Sequence, residues 1–166
     1  ESEVVESINK NNTNNVFLPD VPLSSEIHAT HDLSEAAKSD ILVIVVPAQY
    51  VRNTLKSLKP NIDNGKPIVI CAKGIEIETG HLLSRVCAEE LPENPVAVLT
   101  GPTFASEIAR GLPSAMTLAC ETKDMARLLR ESLNTKKLRI YITDDHGDEW
   151  VGSVPLLAKS GYLLFT

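Results

Sequence analysis

The sequence predicts an α/β fold in which a parallel sheet is covered by helices on both faces. Its 166 residues contain five short apolar runs, most of them rich in valine and isoleucine. The first three runs are almost continuously apolar, which is typical of strands buried on both faces. Segments of helical period lie between the runs, and this alternation favours parallel strands joined by helices. The predicted strands are Ile41–Val46, Pro67–Cys71, Pro95–Leu99, Ala115–Cys120 and Leu138–Thr143.

The segments between these strands carry apolar residues at helical spacing. In Asp124–Leu133 they recur every three or four positions, which gives the single apolar stripe of a helix that packs on a sheet. Pro47 is expected to open the first of these helices, because a proline loses nothing there by lacking an N–H group. Thr79 is expected to cap the second. The predicted helices are Tyr50–Leu58, Gly80–Glu90, Phe104–Arg110 and Asp124–Leu133, preceded by a short helix near Val4–Ile8 and a loop over Asn9–Asn15.

Composition limits the function classes that the chain can serve. The net charge is −6 and the 16 lysine and arginine residues are scattered, so no basic surface for nucleic acid is expected. The longest wholly apolar stretch, Ile41–Ala48, is far shorter than the ~20 residues of a membrane span. The three cysteines show no C-x-x-C spacing and are expected to be buried thiols. These features predict a soluble, cytoplasmic protein with no nucleic-acid or membrane partner.

The positions of the glycines exclude two common phosphate-binding turns. The first of the eight glycines is Gly65, so residues 1–64 contain no G-x-G-x-x-G turn, which holds a dinucleotide pyrophosphate between a first strand and its helix. The sequence also contains no G-x-x-x-x-G-K-[ST] loop, so nucleotide hydrolysis of that type has no support. If the chain is a nucleotide-binding domain, its first βα unit is expected to lie outside these residues.

Two motifs that follow predicted strands are the strongest candidates for a functional site. Lys73 follows the strand that ends at Cys71, and Gly101-Pro102-Thr103-Phe104-Ala105 follows the strand that ends at Leu99. Ligands of α/β sheets bind just beyond the carboxyl ends of the strands. The lysine supplies a cation, the glycine allows close approach to the backbone, and the threonine supplies a hydroxyl at the start of a helix. Together they predict a site for a small phosphorylated substrate, although each alone also suits an ordinary loop.

Other polar clusters carry weaker signals. Glu76 and Glu78 lie near Lys73 and could form a general acid/base pair, but exposed turn residues are the better interpretation. His28-x-x-His31 has the spacing of some metal sites, yet it stands in a polar stretch without a predicted helix. No spacing of serine, cysteine and histidine predicts an activated nucleophile. Neither a metal site nor a nucleophile is therefore assigned.

Several short motifs follow one another along the chain in a fixed order. They are Phe17–Pro22, Val45–Pro47, Lys73–Glu76 with Thr79–Gly80, Val98–Ala105 and Gly111–Ala115. Their order and spacing resemble the bacterial-type NAD(P)-dependent glycerol-3-phosphate dehydrogenase family. The resemblance extends from about residue 1 to about residue 145, and it depends on the whole set of motifs rather than on any single one.

This resemblance implies a Rossmann-like NAD(P)-binding domain followed by a helical substrate domain. Members of the family interconvert glycerone phosphate and sn-glycerol 3-phosphate, usually in the direction that supplies phospholipid synthesis, with NAD or NADP as cofactor. By resemblance, Lys73 contacts both substrate and cofactor. Gly101 and Thr103 line the glycerol phosphate site, and Ala105 contacts the nicotinamide cofactor.

The sequence departs from the family pattern at both ends. The family begins with a strand and a glycine-rich loop, so residues 1–145 are expected to form a partial Rossmann domain that lacks its first βα unit. Pro155 occupies the position of the family's catalytic lysine, and residues 146–166 form a tail unlike the start of the helical domain. No catalytic residue is therefore assigned, and the chain is expected to be an incomplete, inactive piece of the enzyme.

Two functions from other classes stay open. The chain could be a non-catalytic module that binds a phosphorylated ligand through Lys73 and Thr103. It could also be an interaction protein, because an incomplete sheet exposes strand edges that pair with a partner or with a second copy. Affinity without turnover would favour the first, and a mass that depends on concentration would favour the second. The expected partners are thus a small-molecule substrate and, in the last case, a homo-oligomer.

Overall fold

The computed structural model describes residues 2–143, and Pro155 and the tail over residues 146–166 lie outside them. The strands are β1 (Thr13–Asn14), β2 (Leu18–Pro22), β3 (Leu42–Ile44), β4 (Ile68–Ile70), β5 (Val96–Thr100), β6 (Ser114–Cys120) and β7 (Leu138–Ile142). The helices are α1 (Ser2–Asn11), α2 (Leu33–Ala36), α3 (Val51–Leu58), α4 (Leu83–Glu90), α5 (Ala105–Ala109) and α6 (Lys123–Leu133), with 3₁₀ helices at Ala48–Tyr50 and Lys59–Asn61.

The main sheet has the strand order β3-β4-β5-β6-β7, and a separate hairpin is formed by β1 and β2. Strands β3, β4 and β5 run parallel, as predicted from their continuously apolar runs. Each of the five predicted strands is present, with ends that differ from the prediction by at most two residues. The predicted α/β class is therefore confirmed, with a sheet that is mostly parallel.

One pair of strands departs from the parallel arrangement that the sequence predicts. Strand β6 runs antiparallel to β5, and β7 then runs parallel to β6. The difference follows from helix length, because a parallel crossover must carry the chain back across the whole sheet. Helix α5 has five residues, or about 7.5 Å of rise, which is too short for that return. Helix α6 has 11 residues and makes the crossover between β6 and β7.

Helices cover both faces of the sheet, as predicted. On one face, Ile68 and Ile70 of β4 pack in a cluster with the apolar sides of α3 and α4. On the other face, Val69 of the same strand belongs to a second cluster with Ala126 and Leu129 of α6. Successive residues of a strand point to opposite faces, which explains why a continuously apolar run is needed at β4. No helix among residues 2–143 is both long and apolar enough to span a membrane.

Two local predictions need correction. The segment Asn9–Asn15, predicted as a loop, is mostly helix and strand, because α1 continues to Asn11 and β1 begins at Thr13. Asn12 joins them with a φ of 51°, a left-handed conformation that asparagine adopts more readily than most residues. Thr79 does not cap the following helix, because α4 begins later and has Leu82 at its N-cap. Pro47, by contrast, stands at the N-cap of the 3₁₀ helix that leads into α3.

Candidate active site

The carboxyl ends of β3, β4 and β5 lie side by side at one edge of the sheet. The backbone N–H of Cys71 donates to the carbonyl of Ile44 at 2.9 Å, which ties the end of β4 to the end of β3. Strands β4 and β5 pair in register through Ile70 and Val98. The two motifs singled out in the sequence therefore leave the sheet from adjacent strands, as the parallel arrangement predicts.

Lys73 and Gly101 meet at this edge. The Lys73 ammonium donates a hydrogen bond to the Gly101 carbonyl over 3.3 Å, although the two residues are 28 positions apart in the chain. Lys73 is exposed, and among residues 2–143 no carboxylate pairs with it. Its single hydrogen bond is long and goes to a neutral acceptor, so the ammonium keeps most of its capacity for an anionic ligand.

Gly101 is buried, and the reason for a glycine here is the approach of the next strand. A Cβ at this position would lie 2.8 Å from the Ala115 carbonyl oxygen and 3.1 Å from the Met116 Cα, both in β6. No side chain fits in that space without separating β5 from β6. Gly101 thus presents its carbonyl to Lys73, while its Cα side is filled by the neighbouring strand.

Thr103 and Ala105 continue the same connection towards solvent. Thr103 is half-buried, and its hydroxyl has no hydrogen-bond partner among residues 2–143. Ala105 is exposed and is the first residue of α5. The Phe104 N–H donates to the Glu107 carboxylate at 3.3 Å, so one donor at this helix start is already occupied. Among residues 2–143, the Thr103 hydroxyl and the Lys73 ammonium, with its single long hydrogen bond, are thus the groups of the two motifs that can still bind a ligand.

The loop that carries Lys73 contains a buried carboxylate that sequence reasoning placed in solvent. Glu78 is exposed as predicted, but the prediction was wrong for Glu76, which is only 6% exposed. Arg52 of α3 binds it through two parallel bonds, Nε to Oε1 at 2.7 Å and Nη2 to Oε2 at 2.8 Å. Thr79, the expected helix cap, instead donates its hydroxyl to Glu76 Oε2 at 2.6 Å. No local pattern links Arg52 to a carboxylate 24 positions away, so the sequence carried no signal for this ion pair.

The protonation states at this edge follow from these contacts. Hydrogen bonds from Arg52 and Thr79 lower the pKa of Glu76 to about 2, so this carboxylate stays ionised and is no general acid. Burial raises the pKa of the Cys71 thiol to about 11, which leaves it protonated and unreactive. The described residues therefore offer one cation and one hydroxyl for binding, and the ionised Glu76 is not poised to donate a proton at neutral pH.

Comparison with known proteins identifies the family of this arrangement. The family model for the N-terminus of NAD-dependent glycerol-3-phosphate dehydrogenase matches residues 1–126. The chain belongs to that family. It is 47% identical over 145 residues to the glycerol-3-phosphate dehydrogenase [NAD(P)+] of Parvibaculum lavamentivorans, covering 87% of this chain and 44% of the relative. The enzyme of the same name from Paramagnetospirillum magneticum is also 47% identical, with 87% of this chain and 53% of the relative covered.

Solved structures of glycerol-3-phosphate dehydrogenases share the fold. The chain superposes on the Coxiella burnetii enzyme with a TM-score of 0.80 at 33% identity, covering 87% of this chain and 45% of that structure. On the yeast enzyme the TM-score is 0.76 at 27% identity, with 86% and 43% covered. The Rossmann-like fold predicted from the sequence is therefore confirmed. The chain spans about half the length of the dehydrogenases that it matches.

Proposed function

We propose that this chain supplies the substrate-binding sheet edge of a glycerol-3-phosphate dehydrogenase. Such an enzyme interconverts glycerone phosphate and sn-glycerol 3-phosphate, here in the direction that supplies phospholipid synthesis. The observation that carries the proposal is the 3.3 Å contact between the Lys73 ammonium and the Gly101 carbonyl. It brings the two motifs together at the carboxyl edge, where a ligand of an α/β sheet binds. The relatives that match over 145 residues bear the name of this activity.

Each candidate residue has a distinct task in this proposal. Lys73 binds the negative oxygens of the substrate, and its charge stabilises the oxyanion that forms as the carbonyl is reduced. The Gly101 backbone and the Thr103 hydroxyl line the glycerol phosphate site, and Ala105 with Lys73 faces the cofactor. When bound, NAD(P)H supplies the hydride that reaches the carbonyl carbon. The carbonyl oxygen must also take up a proton, which the ionised Glu76 does not donate.

The residues present suit only one end of a dinucleotide. Ala105 is small and exposed at the start of α5, two positions after Thr103, and with Lys73 it would hold the nicotinamide end of the cofactor. The 166-residue sequence contains no G-x-G-x-x-G turn for the pyrophosphate, and Pro155 stands where the resemblance places the catalytic lysine. We therefore expect the chain on its own to bind glycerol 3-phosphate without catalysing turnover.

A turnover assay tests this proposal. The purified chain is supplied with glycerone phosphate and NADH or NADPH, and glycerol 3-phosphate binding is measured by calorimetry on the same sample. Lys73→Ala is the test variant, and Lys56→Ala, which removes another exposed ammonium, is the control. We expect no oxidation of either cofactor, and saturable binding that Lys73→Ala abolishes and Lys56→Ala retains. Turnover that Lys73→Ala abolishes would contradict the inactivity, and absence of binding by folded chain would contradict the site.

A second function, pairing with another copy of the chain, is favoured by the outer strand β3 of the sheet. Strand β3 is an edge strand among the described residues; Val43 in the strand and Val45 just after it are 42% and 69% exposed. The other edge strand, β7, carries the exposed Arg139, a charge that discourages strand pairing. Pairing of β3 with a second copy would cover the valines. Sedimentation should then show a concentration-dependent mass that Val45→Lys abolishes, and a monomer at every concentration would contradict it.

A further inference from the structure

The loop between β4 and α4 carries Lys73 but has little apolar anchorage of its own. Its two isoleucines, Ile75 and Ile77, are 46% and 79% exposed, so neither buries enough surface to fix the loop. Gly74 and Gly80 adopt φ values of 115° and 70°, which the chain tolerates because glycine has no Cβ. The shape of this loop must therefore be maintained by polar contacts.

Arg52 supplies the strongest of these contacts. Besides its two bonds to Glu76, its guanidinium donates to Glu90 Oε1 at 2.6 Å and to Glu89 Oε2 at 2.8 Å. One planar cation thus joins the loop, through Glu76, to the last turn of α4, through Glu89 and Glu90. Arginine suits this task because its five donors are fixed in a plane, whereas a lysine ammonium cannot bind one carboxylate bidentately in the same way.

Gln49 holds the same loop through its backbone. Its amide nitrogen donates to the Ile75 carbonyl at 2.8 Å, and its amide oxygen accepts from the Ile77 N–H at 3.0 Å. Gln49 lies three positions before Arg52, at the start of the helical segment. The two side chains therefore bind three consecutive loop residues, Gln49 the first and third and Arg52 the second. A side chain that bonds to both backbone groups in this way copies the pairing of an adjacent strand.

The ammonium of Lys73 depends on this support. Its only hydrogen bond to a described residue is the 3.3 Å contact with Gly101, which is too long to fix a flexible side chain. Lys73 lies three residues before Glu76, and the flexible Gly74 follows it. The Ala72 N–H bond to the Ile44 carbonyl at 3.2 Å anchors the chain just before Lys73, so the direction of the Lys73 side chain depends on how the following backbone at Ile75–Ile77 is held.

We propose that Gln49 and Arg52 are positioning residues, which hold the 73–82 loop so that the Lys73 ammonium faces the end of β5. This inference rests on the proposed role of Lys73 in binding the substrate phosphate. Arg52 and Gln49 act through the loop and need not touch the ligand. Their loss should therefore change the environment of Lys73 even in a chain to which no ligand has been added.

The test compares Arg52→Met, Arg52→Lys and Gln49→Ala with wild type, all in the full 166-residue chain. Arg85→Met is the matched control, because Arg85 pairs with the same Glu89 from an exposed position on α4 and does not reach the loop. Three readouts are collected: amide hydrogen exchange at Glu76 and Gly80, the rate at which an amine reagent labels Lys73 relative to the exposed Lys123 of α6, and the Kd for glycerol 3-phosphate.

The Glu76 N–H donates to the His81 carbonyl at 2.9 Å and the Gly80 N–H to the Glu76 carbonyl at 2.8 Å. For Arg52→Met we expect exchange at both amides to rise about tenfold or more, because these hydrogen bonds open with the loop. The relative labelling rate of Lys73 should change by at least about threefold, and the Kd should rise about tenfold. Arg52→Lys should recover part of each effect, Gln49→Ala should show a smaller version, and Arg85→Met should resemble wild type. Gln49→Ala keeps the test decisive if Arg52→Met fails to fold.

The outcomes separate this inference from the proposed function. If wild type does not bind glycerol 3-phosphate, the proposed function fails, while exchange and labelling still decide the role of Arg52. If wild type binds and Arg52→Met lowers only the melting temperature, with exchange at the loop, labelling and Kd all within twofold of wild type, the inference is overturned. In that case Arg52 merely stabilises the packing of α3 against α4.

Discussion

The two connections that meet at the carboxyl edge of the sheet are held by different forces. The loop after β4 is fixed by charge, through the Arg52–Glu76 pair and its hydrogen bonds. The connection after β5 is fixed by close packing, because β6 contacts the Gly101 backbone and leaves no room there for a side chain. Both deliver a group to the same point, the Lys73 ammonium in one case and the Gly101 carbonyl in the other.

This difference determines what each connection can tolerate. A charge-held loop responds to pH and to loss of a hydrogen-bonding partner, and it can move while the sheet stays intact. A connection held by packing responds to added volume, and it cannot shift without disturbing two strands. The carboxyl edge thus combines a tightly packed connection after β5 with a loop after β4 whose conformation depends on polar contacts.

The largest effect on stability is expected from Gly101→Ala. The added methyl would lie 2.8 Å from the Ala115 carbonyl oxygen, and backbone cannot move aside cheaply. We expect a loss of about 1–3 kcal/mol in the free energy of unfolding, measured by urea denaturation. Ser106→Thr, which adds a methyl at an exposed position of α5, is the control and should change it by less than about 0.5 kcal/mol. If Gly101→Ala lowered the free energy of unfolding no more than Ser106→Thr, then β5 and β6 could separate to admit the methyl group, and the packing argument would be wrong.

The next largest effect on stability is expected when the pH is lowered, because acid protonates Glu76 in the loop after β4. Glu76 has a pKa of about 2 in the folded chain, below its ordinary value of 4.5, because Arg52 and Thr79 bind the ionised form. The stability it contributes is therefore fully present above about pH 4.5 and is lost as the pH falls towards 2. Glu76→Gln should destabilise the chain at pH 6, and the gap between variant and wild type should narrow as the pH falls.

Urea denaturation at pH 6, 4 and 3 measures this gap. Glu78→Gln, which changes an exposed carboxylate in the same loop, is the control and should follow wild type at each pH. A gap between Glu76→Gln and wild type that stays constant from pH 6 to pH 3 would contradict the assigned pKa of Glu76.

A smaller change in stability is expected from Lys73→Ala. Lys73 is exposed and makes one long hydrogen bond, so the free energy of unfolding should change by less than about 0.5 kcal/mol. The same variant should lose glycerol 3-phosphate binding. A large fall in the free energy of unfolding would instead show that Lys73 stabilises the fold, and would contradict the view that the Arg52–Glu76 pair holds the loop after β4.

Much of this edge follows from the sequence, and the exceptions have physical causes. The apolar runs define the strands, and parallel pairing then brings Lys73 and Gly101 to one edge. The antiparallel β6 depends on the length of α5, which a periodic pattern of five residues defines poorly. The burial of Glu76 depends on Arg52, a contact between distant residues that no local pattern contains. Local periodicity predicts elements, whereas the partner of a charge is set by the tertiary fold.

The most direct test of the proposed site is a titration of glycerol 3-phosphate into the ¹⁵N-labelled 166-residue chain, followed by amide chemical shifts. We expect saturable shifts centred on Lys73, Gly101 and Thr103, and we expect them to disappear in Lys73→Ala. Saturable shifts centred elsewhere, or shifts at these three residues that persist in Lys73→Ala, would contradict the proposed site. So would a folded chain that shows no saturable shifts at all.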